Sequence, residues 1–390
     1  MLNFIYENKT KLLFGMDEHK KMGSLLNPYY KRVLFVYGGG SIKKTGLYDE
    51  VLKSLKEANI EVLDFGGVQA NPVLSLVEEG IKVCREENVD LVLAVGGGSA
   101  IDSAKSIAMG VTYDGSVWDL FATGKEIEKA LPVATILTIP AAGSEGSPDA
   151  VLTNGDRKLG YTSMKIRPII SIINPKLFYT IPKNQIANGV SDMMSHVMER
   201  YFTNTKNTDF IDGLCESTLR IMMKNGLILK DDATNYDAWS QVALAGCFGH
   251  NGMLGVGRVG DWGCHGMEHE LSAVNYEVPH GAGLAVLTPA WMKYVYKVNE
   301  DRFLKFSYDV MNINPSDNKE QDILNGILKL QEFYLKMGLP TNLRELGLEN
   351  IDFRLLAQKC TGYDGHNENP VGNLKALYWE DVYNIYNMAR

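Results

Sequence analysis

The hydrophobic pattern of the chain changes period about halfway along. In the first half, short apolar and β-branched runs recur at Val33–Tyr37, Ile60–Phe65, Leu91–Val95, Val133–Ile139 and Ile169–Ile173. Between them lie stretches with helical spacing, at Tyr48–Ala58, Ser75–Glu87 and Ala100–Met109. Strand, helix and strand at this spacing predict a parallel sheet with helices packed on its faces. From Lys183 onward the strand signals fade. Long helical patterns rich in Met, Leu and Ala follow at Asn184–Tyr201, Asp209–Asn225, Tyr236–Asn251, Asn299–Met311 and Asn318–Met337. The change falls near Thr180-Ile181-Pro182-Lys183, where a proline interrupts the pattern. The expected organisation is an α/β domain over residues 1–183 and an all-α domain over 184–390, packed around a shared cleft because no long linker separates them.

Length agrees with two domains, since 390 residues exceed one ordinary core. With 45% hydrophobic and 22% charged residues the profile is that of a soluble globular protein. A net charge of −8 and a pI near 5.5 leave no basic surplus for phosphates, so nucleic acid is excluded as a partner. No apolar run approaches the roughly 20 residues that span a bilayer, and Glu7, Lys9 and Lys11 break the apolar start, so neither a membrane span nor a signal peptide is expected. Five cysteines, Cys84, Cys215, Cys247, Cys264 and Cys360, lie scattered without C-x-x-C spacing. That usage suits free thiols in a reducing cytoplasm and removes the usual structural zinc site.

Two of the strands run into glycines. Val33–Tyr37 leads to Gly38-Gly39-Gly40-Ser41, and Leu91–Val95 leads to Gly96-Gly97-Gly98-Ser99. Glycines between a strand and a helix let the backbone approach a phosphate, and the helix N-terminus offers unpaired N–H groups and a positive dipole end. The second loop, continuing to Asp102, has that setting, with a helix expected from about Ser99. A tight turn without a ligand would call for one glycine, not three. Neither loop matches G-x-G-x-x-G. The first strand is followed by no carboxylate of the kind that NAD-selective sites place on the ribose hydroxyls. Ser41, Lys43 and Lys44 stand there instead, which reads either as a seat for a 2′-phosphate or as a solvated turn.

Five of the seven histidines fall between residues 196 and 280. Asp192 and His196 are four apart, which on a helix puts both on one face within reach of one ion. His265 and His269 repeat that spacing, and His280 follows in Pro279-His280-Gly281, read as a turn whose glycines let the ring approach. Any one of these histidines is more simply a hydrogen-bonded core or surface residue; the three patterns in one domain are harder to dismiss. The segment is not a zincin helix, because Glu268 precedes the second histidine instead of following the first. A carboxylate with imidazoles leaves an open position for a substrate oxygen. His19 reads as a surface residue, and His250 and His366 have no assignment.

With Ala141-Ala142-Gly143-Ser144-Glu145, these motifs resemble the iron-containing (group III) alcohol dehydrogenase family, in particular its NADPH-dependent butanol dehydrogenase and aldehyde reductase branch. The similarity covers most of the chain. It implies a Rossmann-like dinucleotide-binding domain followed by a helical metal-binding domain, a fold shared with dehydroquinate-synthase-like enzymes. It implies Asp192, His196, His265 and His280 as ligands of one divalent ion, Fe(II) foremost with Zn(II) or another ion as alternatives, and His269 close by outside the set. Cofactor contacts are implied for Gly96, Gly97, Gly98, Ser99, Asp102, Thr138, Lys158 and Leu177. Gly38, in place of the Asp of NAD-preferring members, points with Gly39, Gly40 and Ser41 to NADP(H). A homodimer is the implied assembly. Ala142 departs from the family's frequent threonine, which removes a hydroxyl contact.

The chemistry expected is hydride exchange between nicotinamide and an alcohol or aldehyde whose oxygen the metal polarises, with His269 or the ribose hydroxyls relaying the proton. Met193, Met194, Met198, Met253, Trp262 and Met267 near the ligands suggest an apolar pocket for small aliphatic substrates, or simply core. A non-redox, dehydroquinate-synthase-like cyclase is the rival. It would need cations near the metal, where only Arg200 and Arg258 are at hand. A non-catalytic nucleotide-binding protein is disfavoured by the ligand cluster.

Overall fold

A computed structural model describes residues 1–275 and 277–390. It divides into two compact units, Glu7–Thr180 and Ile181–Arg390, and Met1–Tyr6 belong with the second. The break falls three residues before the expected one. The initial segment leaves the sheet unit because its backbone is tied elsewhere: the Met1 ammonium donates to the Lys206 carbonyl at 2.5 Å, and the Leu2 N–H to that of Gly257 at 2.8 Å.

The sheet unit carries strands β1 (Lys11–Phe14), β2 (Arg32–Tyr37), β3 (Glu61–Phe65), β4 (Leu91–Gly97), β5 (Val133–Ile139), β6 (Asp149–Asn154), β7 (Arg157–Thr162) and β8 (Ile170–Ile173). Six of them form one all-parallel sheet in the order β1-β8-β5-β4-β2-β3, and β6 and β7 form an antiparallel hairpin. Val33, Phe35, Leu91 and Leu93 belong to one core cluster, while the alternate residues Leu34, Val36, Val92 and Ala94 are equally buried. Both faces of β2 and β4 are therefore covered, which is why these strands read as continuous apolar runs. The helices of this unit are α1 (Met22–Leu26), α2 (Ser41–Lys44), α3 (Leu47–Glu57), α4 (Leu74–Glu86), α5 (Gly98–Val111) and α6 (Val117–Thr123). β1 and the hairpin did not stand out in the pattern: β1 is a four-residue edge strand, and the hairpin's RKLGYT strand is mostly polar.

After β2 the chain moves outward to β3, then returns to lay β4 on the other side of β2. The winding thus reverses between β2 and β4. In an open parallel sheet the crevice beyond the carboxyl ends at such a reversal is where ligands bind. Both glycine loops sit there.

The helical unit contains α7 (Lys183–Tyr201), α8 (Asp209–Asp231), α9 (Tyr236–His250), α10 (Gly263–Val274), α11 (His280–Val295), α12 (Glu300–Lys305), α13 (Lys319–Met337), α14 (Phe353–Thr361) and α15 (Trp379–Met388). The helix expected at Asn299–Met311 is α12 followed by a π-helical turn, Phe306–Val310. Among the described residues no helix is long and apolar enough to cross a membrane.

Candidate functional site

The glycines of the second loop fall into two classes. A Cβ on Gly96 would stand 2.5 Å from that of Ala100, which packing excludes, and one on Gly97 3.0 Å from that of Ile139, which packing disfavours. A Cβ on Gly98 would meet only the Ala142 methyl at 3.6 Å, and one on Gly39 would meet nothing within 4 Å. No protein atom explains those two glycines, and both lie at the winding reversal. α5 begins at Gly98 with no side chain capping it, so its first N–H groups are presented outward. Thr138 stands near the end of β5, Lys158 on β7, and Leu177 in the short 3₁₀ turn after β8, partly buried against the sheet core.

Asp102, expected as a cofactor contact, also has partners within the protein. Its carboxylate accepts the Ser144 hydroxyl at 2.6 Å and the Val151 N–H at 3.1 Å, so it serves the loop beyond β5. The first loop also holds a surprise for charge. Lys43 lies over the rings of Tyr37 and Tyr48 at 4.8 and 4.6 Å and 3.7 Å from Asp64 on β3. The Asp64 carboxylate accepts both tyrosine hydroxyls at 2.9 Å. Burial, then the Asp64 contact, pushes the Tyr48 phenol up to about 12. An acid is present beside this loop after all, on the neighbouring strand.

In the helical unit three helices bring four side chains together. Asp192 Oδ1 lies 3.7 Å from His196 Nε2, 3.8 Å from His265 Nε2 and 3.9 Å from His280 Nε2. These separations are too long for good hydrogen bonds. Two ligands held at about 2.1 Å and the tetrahedral angle stand about 3.4 Å apart, so the spacing from Asp192 fits donors around one cation, and the donor atoms of Asp192, His265 and His280 also lie within 4.8 Å of one another. Asp192 Oδ1 and His265 Nε2 are buried without a hydrogen-bond partner among the described residues, an arrangement costly for a protein with nothing to bind there.

Two of the three rings are held from behind by carboxylates, while His196 Nδ1 is buried without a hydrogen-bond partner among the described residues. Glu199, seven residues after Asp192 on α7, is buried and accepts from His265 Nδ1 at 3.1 Å, from the His265 N–H at 3.0 Å and from the Trp262 N–H at 2.6 Å. One carboxylate thus caps α10 and fixes the ring so that Nε2 faces Asp192. Glu268, fully buried, meets His280 Nδ1 and accepts the Ser272 hydroxyl. Carboxylates behind histidine ligands orient the ring and raise its basicity. His196 instead stacks on His250 with ring centres 3.9 Å apart and on His265 at 4.7 Å. At His196, burial and the adjacent imidazoles hold the ring neutral, well below its ordinary range. At His265, burial opposes charge, but Asp192 and Glu199 outweigh it and push the ring to about 9. Carboxylates that hold a proton so firmly favour a metal cation in the same place. Behind α10, burial and then Glu199 push the Asp261 carboxyl up to about 7.

His280 is the first residue of α11, not part of a turn. Its glycines bring helices together: a Cβ on Gly281 would stand 2.0 Å from the Asn188 carbonyl oxygen, and one on Gly283 2.8 Å from Glu268. That contact presses α11 onto α7 and carries His280 to Asp192. His269 lies with its ring centre 5.5 Å from His280, and with Glu268 and His280 it forms a second group spaced closely enough to hold an ion.

Other expectations change. His19 is buried, with Nε2 2.6 Å from Glu50 and Nδ1 3.2 Å from Asn174, because it sits beneath α3. Met193, Met194, Met198 and Met267 are core residues, Met253 is half-buried, and Trp262, 37% exposed, stands beside the histidines. Arg200 bonds the His196 carbonyl and His250 and lies over Trp262, while Arg258 pairs with Asp212 at 2.6 Å, so both cations are committed internally. Sequence reasoning missed Glu199 and Glu268. The i, i+7 spacing of Asp192 and Glu199 was the available signal for the first.

The sequence profile described as "Iron-containing alcohol dehydrogenase" matches residues 9–175, and that described as "Fe-containing alcohol dehydrogenase family, C-terminal" matches 186–390. The chain is 40% identical to the NADH-dependent butanol dehydrogenase A of Clostridium acetobutylicum, covering 99% of both. It is 33% identical to the NADPH-dependent aldehyde reductase YqhD of Escherichia coli, covering 100% of both. The crystal structure of NADH-dependent butanol dehydrogenase A from Thermotoga maritima superposes with a TM-score of 0.95 at 39% identity, covering 100% of this chain and 99% of that one.

Proposed function

The chain belongs to the iron-containing alcohol dehydrogenase family, and from that premise we propose that it exchanges hydride between NADP(H) and small aliphatic alcohols or aldehydes of the butanol and butanal kind. Its relatives are named as butanol dehydrogenases and an aldehyde reductase, and the family is described as iron-containing. The observation that carries the site reading is the convergence of three imidazole Nε2 atoms on Asp192 Oδ1.

On this reading Asp192, His196, His265 and His280 bind one divalent ion, Fe(II) foremost. When bound, such an ion supplies Lewis acidity toward the substrate oxygen, lowering the barrier to hydride transfer at carbon. The chain's own residues do the remaining work. Glu199 and Glu268 hold His265 and His280 with Nε2 presented forward. His269, beside His280 but outside the set, carries the proton to or from solvent. Trp262 supplies an apolar wall for the alkyl chain. With Arg200 and Arg258 committed to internal partners, the site is poorly suited to the anionic substrate of a dehydroquinate-synthase-like enzyme.

The relatives are named for both coenzymes, NADH and NADPH. The choice of NADP(H) rests on the first loop. Asp64, the acid beside it, is countered by Lys43 and satisfied by two tyrosine hydroxyls. Gly38, Ser41 and exposed Lys44 then offer a 2′-phosphate donors and positive charge without an unmatched carboxylate.

The test is elemental analysis of protein purified anaerobically, paired with NADPH and NADH oxidation against straight-chain aldehydes. One metal per chain, with faster turnover of NADPH, is expected. Full turnover by metal-free protein would overturn the reading. Elemental analysis also decides the metal, since at equal availability Zn(II) binds such donors more tightly than Fe(II).

A further inference from the structure

Beneath the glycine loops lies a charged group that the reaction does not use. Lys105 is a fully buried lysine on α5, 0% exposed. Its ammonium donates to the backbone carbonyls of Ser144 at 2.7 Å, Ser147 at 3.0 Å and Asp149 at 2.7 Å, and lies 2.8 and 3.3 Å from the Ser144 and Ser147 hydroxyls. An ammonium has three N–H groups, and three carbonyls converge on it. Three carbonyl dipoles aimed at one dry point repel one another unless a cation occupies it. An uncharged side chain there would leave them buried and unpaired.

One turn earlier on the same helix, Asp102 takes the Ser144 hydroxyl and the Val151 N–H. The pair at i, i+3 therefore grips both ends of the segment 144–151. That segment is continuous with Ala142, whose methyl would be 3.6 Å from a Cβ on Gly98, the first residue of α5. Arg167 adds a bond to the Gly146 carbonyl at 2.6 Å. Glycine loop, helix and the loop after β5 thus make one unit with a lysine at its centre.

We propose that Lys105 is a positioning residue whose buried ammonium acts as a built-in cation, holding the Ser144–Asp149 loop in the shape that flanks the coenzyme phosphate site at Gly98; this rests on the coenzyme reading above. Removing the charge lets the carbonyls turn outward, and the wall beside Gly98 moves with them. Coenzyme affinity then falls while the metal, bound in the other unit, is untouched.

The experiment measures NADPH dissociation constants by fluorescence, with metal content, on the intact protein. Lys105→Ala should raise the NADPH Kd at least tenfold with metal content unchanged. Added n-propylammonium, which replaces the deleted atoms, should restore affinity, and tetramethylammonium at equal ionic strength should not. Lys105→Met should show the loss without rescue. Wild-type affinity in either variant overturns the proposal, as does equal rescue by both cations. Gly98→Ala separates this failure from that of the coenzyme site. The methyl has room against Ala142 but stands where the phosphate would lie. If it weakens NADPH while the lysine variants do not, the site stands and the positioning role falls. If it binds as wild type, the site reading fails and the proposal with it.

Should neither lysine variant fold, the wild-type pH profile decides. Burial pulls the Lys105 amine down to about 8, against Asp102 on its own helix, Asp149 on β6 and Glu145 in the loop, with Arg167 adding to the pull. Above that pH the amine has only two N–H groups for three carbonyls, so the NADPH Kd should rise through pH 8 to 9. A flat profile over that range contradicts the proposal.

Discussion

The candidate coenzyme surface in the sheet unit is made of backbone: two glycines with no packing reason to be glycine, an uncapped helix start and a winding reversal. The candidate metal centre in the helical unit is made of side chains, four donors from α7, α10 and α11, two of them steadied by buried carboxylates. The two regions fail in opposite ways. Backbone recognition is lost when atoms are added, since a new Cβ or charge fills the space a ligand needs. A coordination set is lost when atoms are removed, because each missing donor leaves the others buried and unsatisfied. Substitutions in one unit should therefore leave the other's ligand in place.

The largest effect should come from His280→Ala or His265→Ala. Losing several kcal/mol of charge stabilisation corresponds to at least about 10³-fold in turnover. Metal should be absent by elemental analysis, while NADPH still binds with its wild-type Kd. A chelator should reproduce this state in the wild type, and re-added Fe(II) should reverse it. Coenzyme binding lost together with the metal would break the contrast between the units.

His269→Ala should retain its metal but slow turnover by about 10²–10⁴-fold, the cost of losing a general acid–base. Metal loss matching that of His265→Ala would place His269 inside the coordination set. Glu199→Gln should follow, lowering metal affinity by about 10–100-fold, as removal of a ligand's orienting partner does, readable by titration with a competing chelator.

The smallest effect belongs to the first loop. Gly38→Asp should weaken NADPH about tenfold, the scale of one like-charge contact screened by bulk water, and improve NADH relative to it. Salt should narrow the wild-type preference by screening. Unchanged coenzyme ratios in the variant would mean that this loop is only a turn.

How much of this was legible in the sequence follows the same division. Strands β2, β4 and β5 and helices α3, α4, α7 and α13 could be read because period and burial coincide there. Edge strand β1 and the hairpin could not, being short or polar. The candidate donors were visible as spaced motifs, since side-chain chemistry is written directly in residue type. Their supporting carboxylates were hidden, because nothing in Glu199 or Glu268 alone says which way it faces. The glycine triplets were visible, but not that Gly96 and Gly97 serve packing while Gly98 and Gly39 do not. Nor did the sequence reveal that Asp64, twenty-seven residues after Tyr37, returns an acid to the first loop. Such facts belong to the topology that joins distant segments.

The central claim is that one ion sits among Asp192, His196, His265 and His280, and anomalous diffraction at the metal's absorption edge tests it most directly. The account predicts a single peak about 2.0–2.3 Å from Asp192 and from Nε2 of all three histidines. A peak instead among Glu268, His269 and His280, the other group among the described residues close enough to hold an ion, would contradict it.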